Sequence, residues 1–80
     1  MTRLPRDISG QALIKALTTF GYSVTRQTGS HIRLTTSKHG THNLTIPNHK
    51  NIRIGTLSNI LKALITHHRI SREELIKKLF

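Results

Sequence analysis

The chain has 80 residues, and its 13 Lys and Arg residues outnumber its 3 Asp and Glu residues, for a formal net charge of +10. A chain of this length buries only about 60% of the surface it exposes when unfolded, so we expect one small domain over residues 1–80 and exclude large multidomain enzymes. The positive charge is spread over both halves of the chain. It favours a polyanionic partner, nucleic acid first and membrane second, because binding to phosphates releases condensed counterions.

The sequence contains no cysteine. This excludes a disulfide framework and a thiolate zinc site, and it fits a reducing compartment. The basic start, Met1–Arg6, is not followed by an apolar stretch of signal-peptide or membrane-spanning length. We therefore expect a cytoplasmic protein without a membrane segment.

The first predicted element is an amphipathic helix from Ser9 to Phe20. Ser9 is a suitable N-cap, and Gly21 follows the last apolar residue, where a left-handed C-terminal cap is favoured. The apolar side chains recur at i, i+3, i+4 and i+7, on one face of a helix: Leu13, Ala16, Leu17 and Phe20.

Three strands are predicted next, because the hydrophobic period changes to two. They cover Tyr22–Gln27, His31–Thr36 and Asn43–Pro47, separated by a short turn at 28–30 and a longer loop at 37–41. We expect an antiparallel meander with one face covered by helices and the other exposed to solvent. The predicted apolar face consists of Tyr22, Val24, Ile32, Leu34, Leu44 and Ile46.

Two helices complete the chain after a linker-like stretch, Asn48–Ile54. The first is predicted from Gly55–Thr56 to about Thr66, and the second is short and follows the capping box Ser71–Glu74. The class is α+β, in the order αβββα with an extra C-terminal helix.

His31 is the first candidate for chemistry, because strand alternation places it outward with Arg33 while Ile32 points inward. A histidine here can take a proton from a 2′-hydroxyl of RNA or give one to the 5′-oxygen leaving group. The turn amides of Gly29 and Ser30 and the Arg33 guanidinium can hold the phosphate. The alternative is a solvent-facing histidine that contacts phosphate or nothing.

The start of the second helix is a candidate phosphate site. Free amides at Gly55 and Thr56 attract anions, and Lys50 and Arg53 precede them. The alternative is an ordinary cap in which Thr56 or Ser58 satisfies these amides.

The remaining histidines are candidate metal ligands or helix caps. His39, His42 and His49 do not provide the four ligands of a closed zinc site, so we predict no metal and no cofactor. His67 and His68 lie near a helix C-terminus, where histidine interacts favourably with the negative end of the helix dipole and acts as a cap.

Three motifs in order resemble those of the HicA (YcfA-like) toxin family: Gly29-Ser30-His31, Ile46-Pro47-Asn48-His49 and Gly55-Thr56-Leu57-Ser58-Asn59-Ile60-Leu61-Lys62. The resemblance covers essentially the whole chain. It implies a fold like the double-stranded RNA-binding domain and a metal-independent endoribonuclease that cleaves mRNA. It also implies neutralisation in a complex with a HicB-type antitoxin, and it puts the family's catalytic histidine at His31.

The sequence departs from the family pattern at Ile32, where members often carry a second histidine or an aromatic residue. If a second proton-transfer group is needed, His49 and His42 are the candidates. Alternatively, a single histidine works with water while Arg33 or Lys50 stabilises charge on the phosphorane.

Two other functions remain open from the sequence: a non-catalytic double-stranded-RNA-binding module on the same basic surface, and a protein-binding adaptor. Specific DNA recognition has less support, because three strands separate the two long helices and no helix-turn-helix results.

Overall fold

The computed structural model describes Leu4 and residues 7–80, so of the basic segment Met1–Arg6 only Leu4 is described. The element order αβββαα confirms the predicted α+β class and is consistent with a fold like the double-stranded RNA-binding domain. The elements are α1 (Gly10–Phe20), β1 (Ser23–Thr28), β2 (His31–Thr36), β3 (His42–Pro47), α2 (Ile54–His68) and α3 (Arg72–Leu79).

The helix caps agree with the sequence prediction. Ser9 Oγ accepts the Ala12 N–H at 3.0 Å, and Gly21 adopts a left-handed φ of 117° that ends α1. At α3, Ser71 Oγ accepts the Glu74 N–H at 3.1 Å. Helix α2 begins one residue before the predicted start and extends two residues beyond the predicted end.

The sheet is an antiparallel meander in the order β1-β2-β3. Strands β2 and β3 pair without interruption from His31 opposite Pro47 to Thr36 opposite His42. Strand β1 pairs with β2 through a register shift between Val24 and Arg26. Such a bulge reverses which face the following side chains point to.

Val24 pairs with Leu34 on the predicted apolar face, but its side chain is 50% exposed, so the expectation that the helices cover it is wrong. All six residues of β1 are exposed, whereas the other edge strand, β3, buries Leu44 and Ile46. Tyr22, immediately before β1, points inward as predicted and is buried.

The core lies between the other two strands and the three helices. Its strand side chains are Ile32, Leu34, Leu44 and Ile46, and its fully buried helical side chains are Leu13, Leu17, Leu57, Leu61, Leu64 and Leu75. No helix among the described residues has the length and apolarity needed to cross a membrane.

A buried polar group lies at the C-terminal end of α2. The Tyr22 hydroxyl contacts Nε2 of His68 at 2.9 Å and Nδ1 of His42 at 2.7 Å. Nε2 of His67 lies 3.0 Å and 3.1 Å from the carbonyl oxygens of Lys38 and Gly40.

The predicted helix-end role of this histidine pair is therefore wrong for His68, which is only 6% exposed. The helix continues to His68 and turns its last residue inward, onto Tyr22 and the edge of the Phe20 ring. Burial, as the largest cause, together with the charges of His67, His39, His42 and Lys38 lowers the pKa of His68 to about 4.

We predict that the protein loses stability in acid because of His68. The unfolded chain protonates His68 near pH 6.5, and the folded chain does so only near pH 4. The contribution of His68 to the free energy of unfolding is therefore fully present above pH 6.5, and roughly 3 kcal/mol of it is lost as the pH decreases to 4. Urea unfolding across this range, in buffer with EDTA, measures the slope. His68→Gln should flatten it and the exposed-site control His49→Gln should not; equal slopes in all three proteins would contradict the assignment.

Candidate functional site

An open cavity of about 490 Å³ lies where β2 begins and β3 ends. Its walls come from both strands, from the segment between β3 and α2, and from the first turn of α2. The lining residues are His31, Thr45, Pro47, His49, Asn51, Arg53 and Thr56.

His31 is held at the cavity by its position in the sheet. It is the first residue of β2, and it lies opposite Thr28 on β1 and Pro47 on β3. Gly29 and Ser30 form the two-residue turn before it, and Gly29 supplies the left-handed φ of 57° that tight hairpins need. His31 and Arg33 are exposed while Ile32 and Leu34 are buried, as alternation predicts.

The connecting segment, residues 48–53, is the second structural support of the cavity. Its backbone is hydrogen-bonded at three points: the Asn48 N–H donates to Ser30 O at 2.7 Å, His49 O accepts from the Gly10 N–H at 2.8 Å, and the Ile52 N–H donates to Ile8 O at 2.8 Å. The Ile52 side chain is buried in the core. The segment that the sequence presents as a linker is thus fixed against the hairpin turn and the start of α1.

Gly10 allows this arrangement. A Cβ atom added there would overlap the carbonyl oxygen of Pro47 and would approach Asn48 Cα to 3.0 Å. The start of α1 therefore packs backbone against backbone on the segment that carries His49. Only glycine permits so close an approach.

The N-terminus of α2 opens at the cavity without a side-chain cap. Its N-cap residue is Arg53, and no side chain among the described residues bonds to the first-turn amides. The expected alternative, capping by Thr56 or Ser58, is therefore not what the structure shows. Free amides and the positive end of the helix dipole attract an anion here, beside the Arg53 guanidinium.

A pair of arginines extends the positive surface from the cavity across the outer face of the sheet. Arg33 lies opposite Thr45 on β3 and opposite Arg26 on β1. Strand alternation from Val24 places Arg26 inward, and the bulge reverses that placement, so the sequence analysis missed it. Two like charges directly opposite each other are unfavourable until an anion lies between them.

The structure brings four of the sequence-predicted site residues together in the cavity wall: His31, His49, Arg53 and Thr56. The other predicted RNA-binding residues are exposed at its margins, with Gly29 and Ser30 in the turn, Arg33 further along β2, Lys50 in the connecting segment and Gly55 beside Thr56. Thr45 and Asn51 also line the cavity, and no motif in the sequence indicates them.

His42 lies at the opposite end of the sheet from His31. It begins β3, whereas Pro47, the partner of His31, ends that strand. Five strand steps separate the two ends by about 17 Å. This distance excludes His42 as the partner of His31 in one proton-transfer reaction and leaves His49 as the second histidine at the cavity.

Comparison with known proteins identifies one protein family. Residues 10–64 match the model of a family described as the HicA toxin of bacterial toxin–antitoxin systems. The matched range runs from the first residue of α1 into α2 and contains every residue that lines the cavity. No curated protein matches the sequence, and no solved structure does.

We predict that Gly10→Ala destabilises the protein, because the new methyl group meets backbone that cannot move aside. The loss should reach the upper end of the roughly 1–3 kcal/mol that overpacking costs, measured by urea unfolding. Gly55→Ala is the matched control, since a Cβ there meets no atom within 4 Å. If both variants unfold at the same urea concentration, the close contact at Gly10 is not a structural requirement.

Proposed function

We propose that this chain, which belongs to the HicA toxin family, is an endoribonuclease that cleaves mRNA with His31 as an acid–base catalyst. The family makes it the toxin of a bacterial toxin–antitoxin system. The observation that carries the proposal is the shared cavity, in which two histidines, an arginine and an uncapped helix N-terminus surround one open space.

RNA cleavage by its own 2′-hydroxyl requires two proton transfers, and the cavity offers two imidazoles for them. The 2′-oxygen bonds to phosphorus as a base removes its proton, and the P–O5′ bond breaks as an acid protonates the leaving oxygen. We assign these roles to His31 and His49. The products are a 2′,3′-cyclic phosphate and a 5′-hydroxyl end, and proton transfer of this kind contributes typically 10²–10⁴-fold to the rate.

Charge on the phosphorane is stabilised by the cationic wall of the cavity. Arg53 and the free amides at the start of α2 are placed to bind the non-bridging oxygens, and Thr56 adds a hydroxyl. Lys50 and the turn amides of Gly29 and Ser30 extend phosphate binding around the cavity.

The outer face of the sheet supports RNA binding beside the cavity. Its side chains are polar, and a hydrogen-bonded row crosses the three strands from Thr25 through Thr35 to Asn43, at 2.9 Å and 2.7 Å. Arg26 and Arg33 lie between this row and His31. A flat polar and cationic surface of this kind suits phosphates and 2′-hydroxyls of structured RNA.

The proposed partner is a HicB-type antitoxin that neutralises the toxin in the cytoplasm by covering the cavity. The net charge of +10 would accelerate association with an acidic antitoxin surface.

The test of catalysis is cleavage of a structured mRNA by the purified protein in EDTA, with product ends identified by mass spectrometry. We expect cyclic phosphate ends from the wild type and a roughly 10²–10⁴-fold slower reaction for His31→Ala and for His49→Ala, with RNA affinity retained. His39→Asn is the control, because His39 is an exposed histidine outside the cavity whose left-handed φ asparagine tolerates.

The pattern among the variants separates the possible functions. Loss of activity in His31→Ala alone would leave His31 as a single catalytic histidine working with water. Binding without product by the wild type would overturn catalysis and favour the non-catalytic RNA-binding module.

We predict that Arg26 and Arg33 bind phosphates. Each change to Ala should weaken RNA binding and reduce the slope of log affinity against log salt by about 1, as expected for one lost phosphate contact. Filter binding between low and moderate salt measures the slope. Lys77→Ala, on the exposed side of α3, is the control; if it changes the slope as much as Arg26→Ala does, the sheet face is not the RNA-binding surface.

A further inference from the structure

We propose that His42, His67 and His68 form a binding site for a divalent transition-metal ion of the zinc class, separate from the cavity at His31. Each of the three residues offers one ring nitrogen, and these nitrogens all lie within 4.8 Å of one another. A fourth histidine, His39, has its ring centroid 5.5 Å from that of His68.

The hydrogen bonds around the cluster are those of ligand histidines. Nε2 of His67 lies against two carbonyl oxygens, which only accept, so this nitrogen carries the proton and Nδ1 keeps its lone pair. Metal-ligating histidines characteristically donate their other N–H to a backbone carbonyl in this way. The Tyr22 oxygen contacts one nitrogen of His42 and one of His68, and since a hydroxyl has a single proton, at least one of these rings donates its N–H to it and keeps the lone pair of its other nitrogen.

His68 provides an independent indication of a ligand. Its Nδ1 is buried and has no hydrogen-bond partner among the described residues. An unpaired buried polar atom is costly and requires an explanation, which a bound ion supplies.

The donor set selects the class of ion. Three or four imidazoles, with no cysteine in the chain, suit Zn²⁺, Cu²⁺ or Ni²⁺ and not Mg²⁺ or Ca²⁺. The rings of His42 and His67 stack at 4.2 Å and 11°. One ring must turn to bind, because a metal lies in the plane of each imidazole that ligates it.

An access route is present beside the cluster. An open cavity of about 580 Å³ is lined by His39, Thr66, His67, His68 and Arg69. His39 is exposed at this opening, so its ring is free to complete a four-histidine site.

The position of the site indicates a structural role for the ion. It joins the end of α2 to the start of β3, at the end of the sheet away from His31. In the sequence, the spacing of His39, His42 and His49 predicts no metal site. The structure separates His49 from this group and replaces it with the helical pair His67 and His68.

The test is titration of the full chain with Co²⁺, followed by visible absorption, and with Zn²⁺ by calorimetry. We expect one ion per chain, tetrahedral Co²⁺ bands, and a melting temperature that rises with the Zn²⁺ concentration. His67→Gln and His42→Gln should each weaken Zn²⁺ binding by more than roughly 10- to 100-fold. That range is the loss expected when a residue that only hydrogen-bonds a metal ligand is removed. His49→Gln, which removes a histidine outside the cluster, should bind as the wild type does.

An NMR measurement on the wild type keeps the test independent of variant folding. Zn²⁺ should shift the imidazole signals of His42, His67 and His68 and leave those of His31 and His49 in place. Failure to bind Zn²⁺, or equal weakening by His49→Gln and His67→Gln, would overturn the site. RNA cleavage in EDTA is a separate measurement, so either proposal can fail without the other.

Discussion

The arrangement of the proposed RNA-cleaving site depends on one close backbone contact. Gly10, the first residue of α1, packs against Pro47 and Asn48 with no space for a side chain, and its N–H holds the His49 carbonyl. The same segment is bonded to the hairpin turn at Ser30 and anchored in the core through Ile52. Helix α1, the hairpin before His31 and the segment before α2 therefore meet at one point, and this junction fixes the segment that forms one wall of the cavity.

The three strands of the sheet contain no acidic residue. Of the three acidic residues in the chain, Glu73 and Glu74 lie in the first turn of α3, where their negative charges interact favourably with the positive end of the helix dipole. The outer sheet face, with Arg26, Arg33 and His31, therefore has little negative charge nearby to offset it. The two ends of the sheet also differ in chemistry: exposed histidines line a cationic cavity at one end, and the buried His68 and half-buried His42 contact the Tyr22 hydroxyl at the other. The first environment suits a polyanion and the second suits a metal ion.

Much of the fold and part of the site could be predicted from the sequence, because those features depend on local patterns. Helical periodicity, the Ser9 and Ser71 caps and the glycine end of α1 gave the helices, and alternation placed Ile32 inward and His31 outward. Alternation predicted the wrong face for Arg26 in β1. A bulge there inserts one unpaired residue, and nothing in the amino-acid pattern indicates it. The bulge moved Arg26 to the face of Arg33.

The sequence by itself determined the element order, the excess of positive charge and the candidacy of His31, since composition, periodicity and short motifs are properties of neighbouring residues. Only the tertiary structure decided which histidines act together. His49 joins His31 because backbone hydrogen bonds fold residues 48–53 onto the hairpin turn. His42 joins His67 and His68 because the end of α2 packs on Tyr22. The histidines in each of these groups that come from different elements are at least 18 positions apart, so they meet only when the core closes, and no local pattern specifies which of them will.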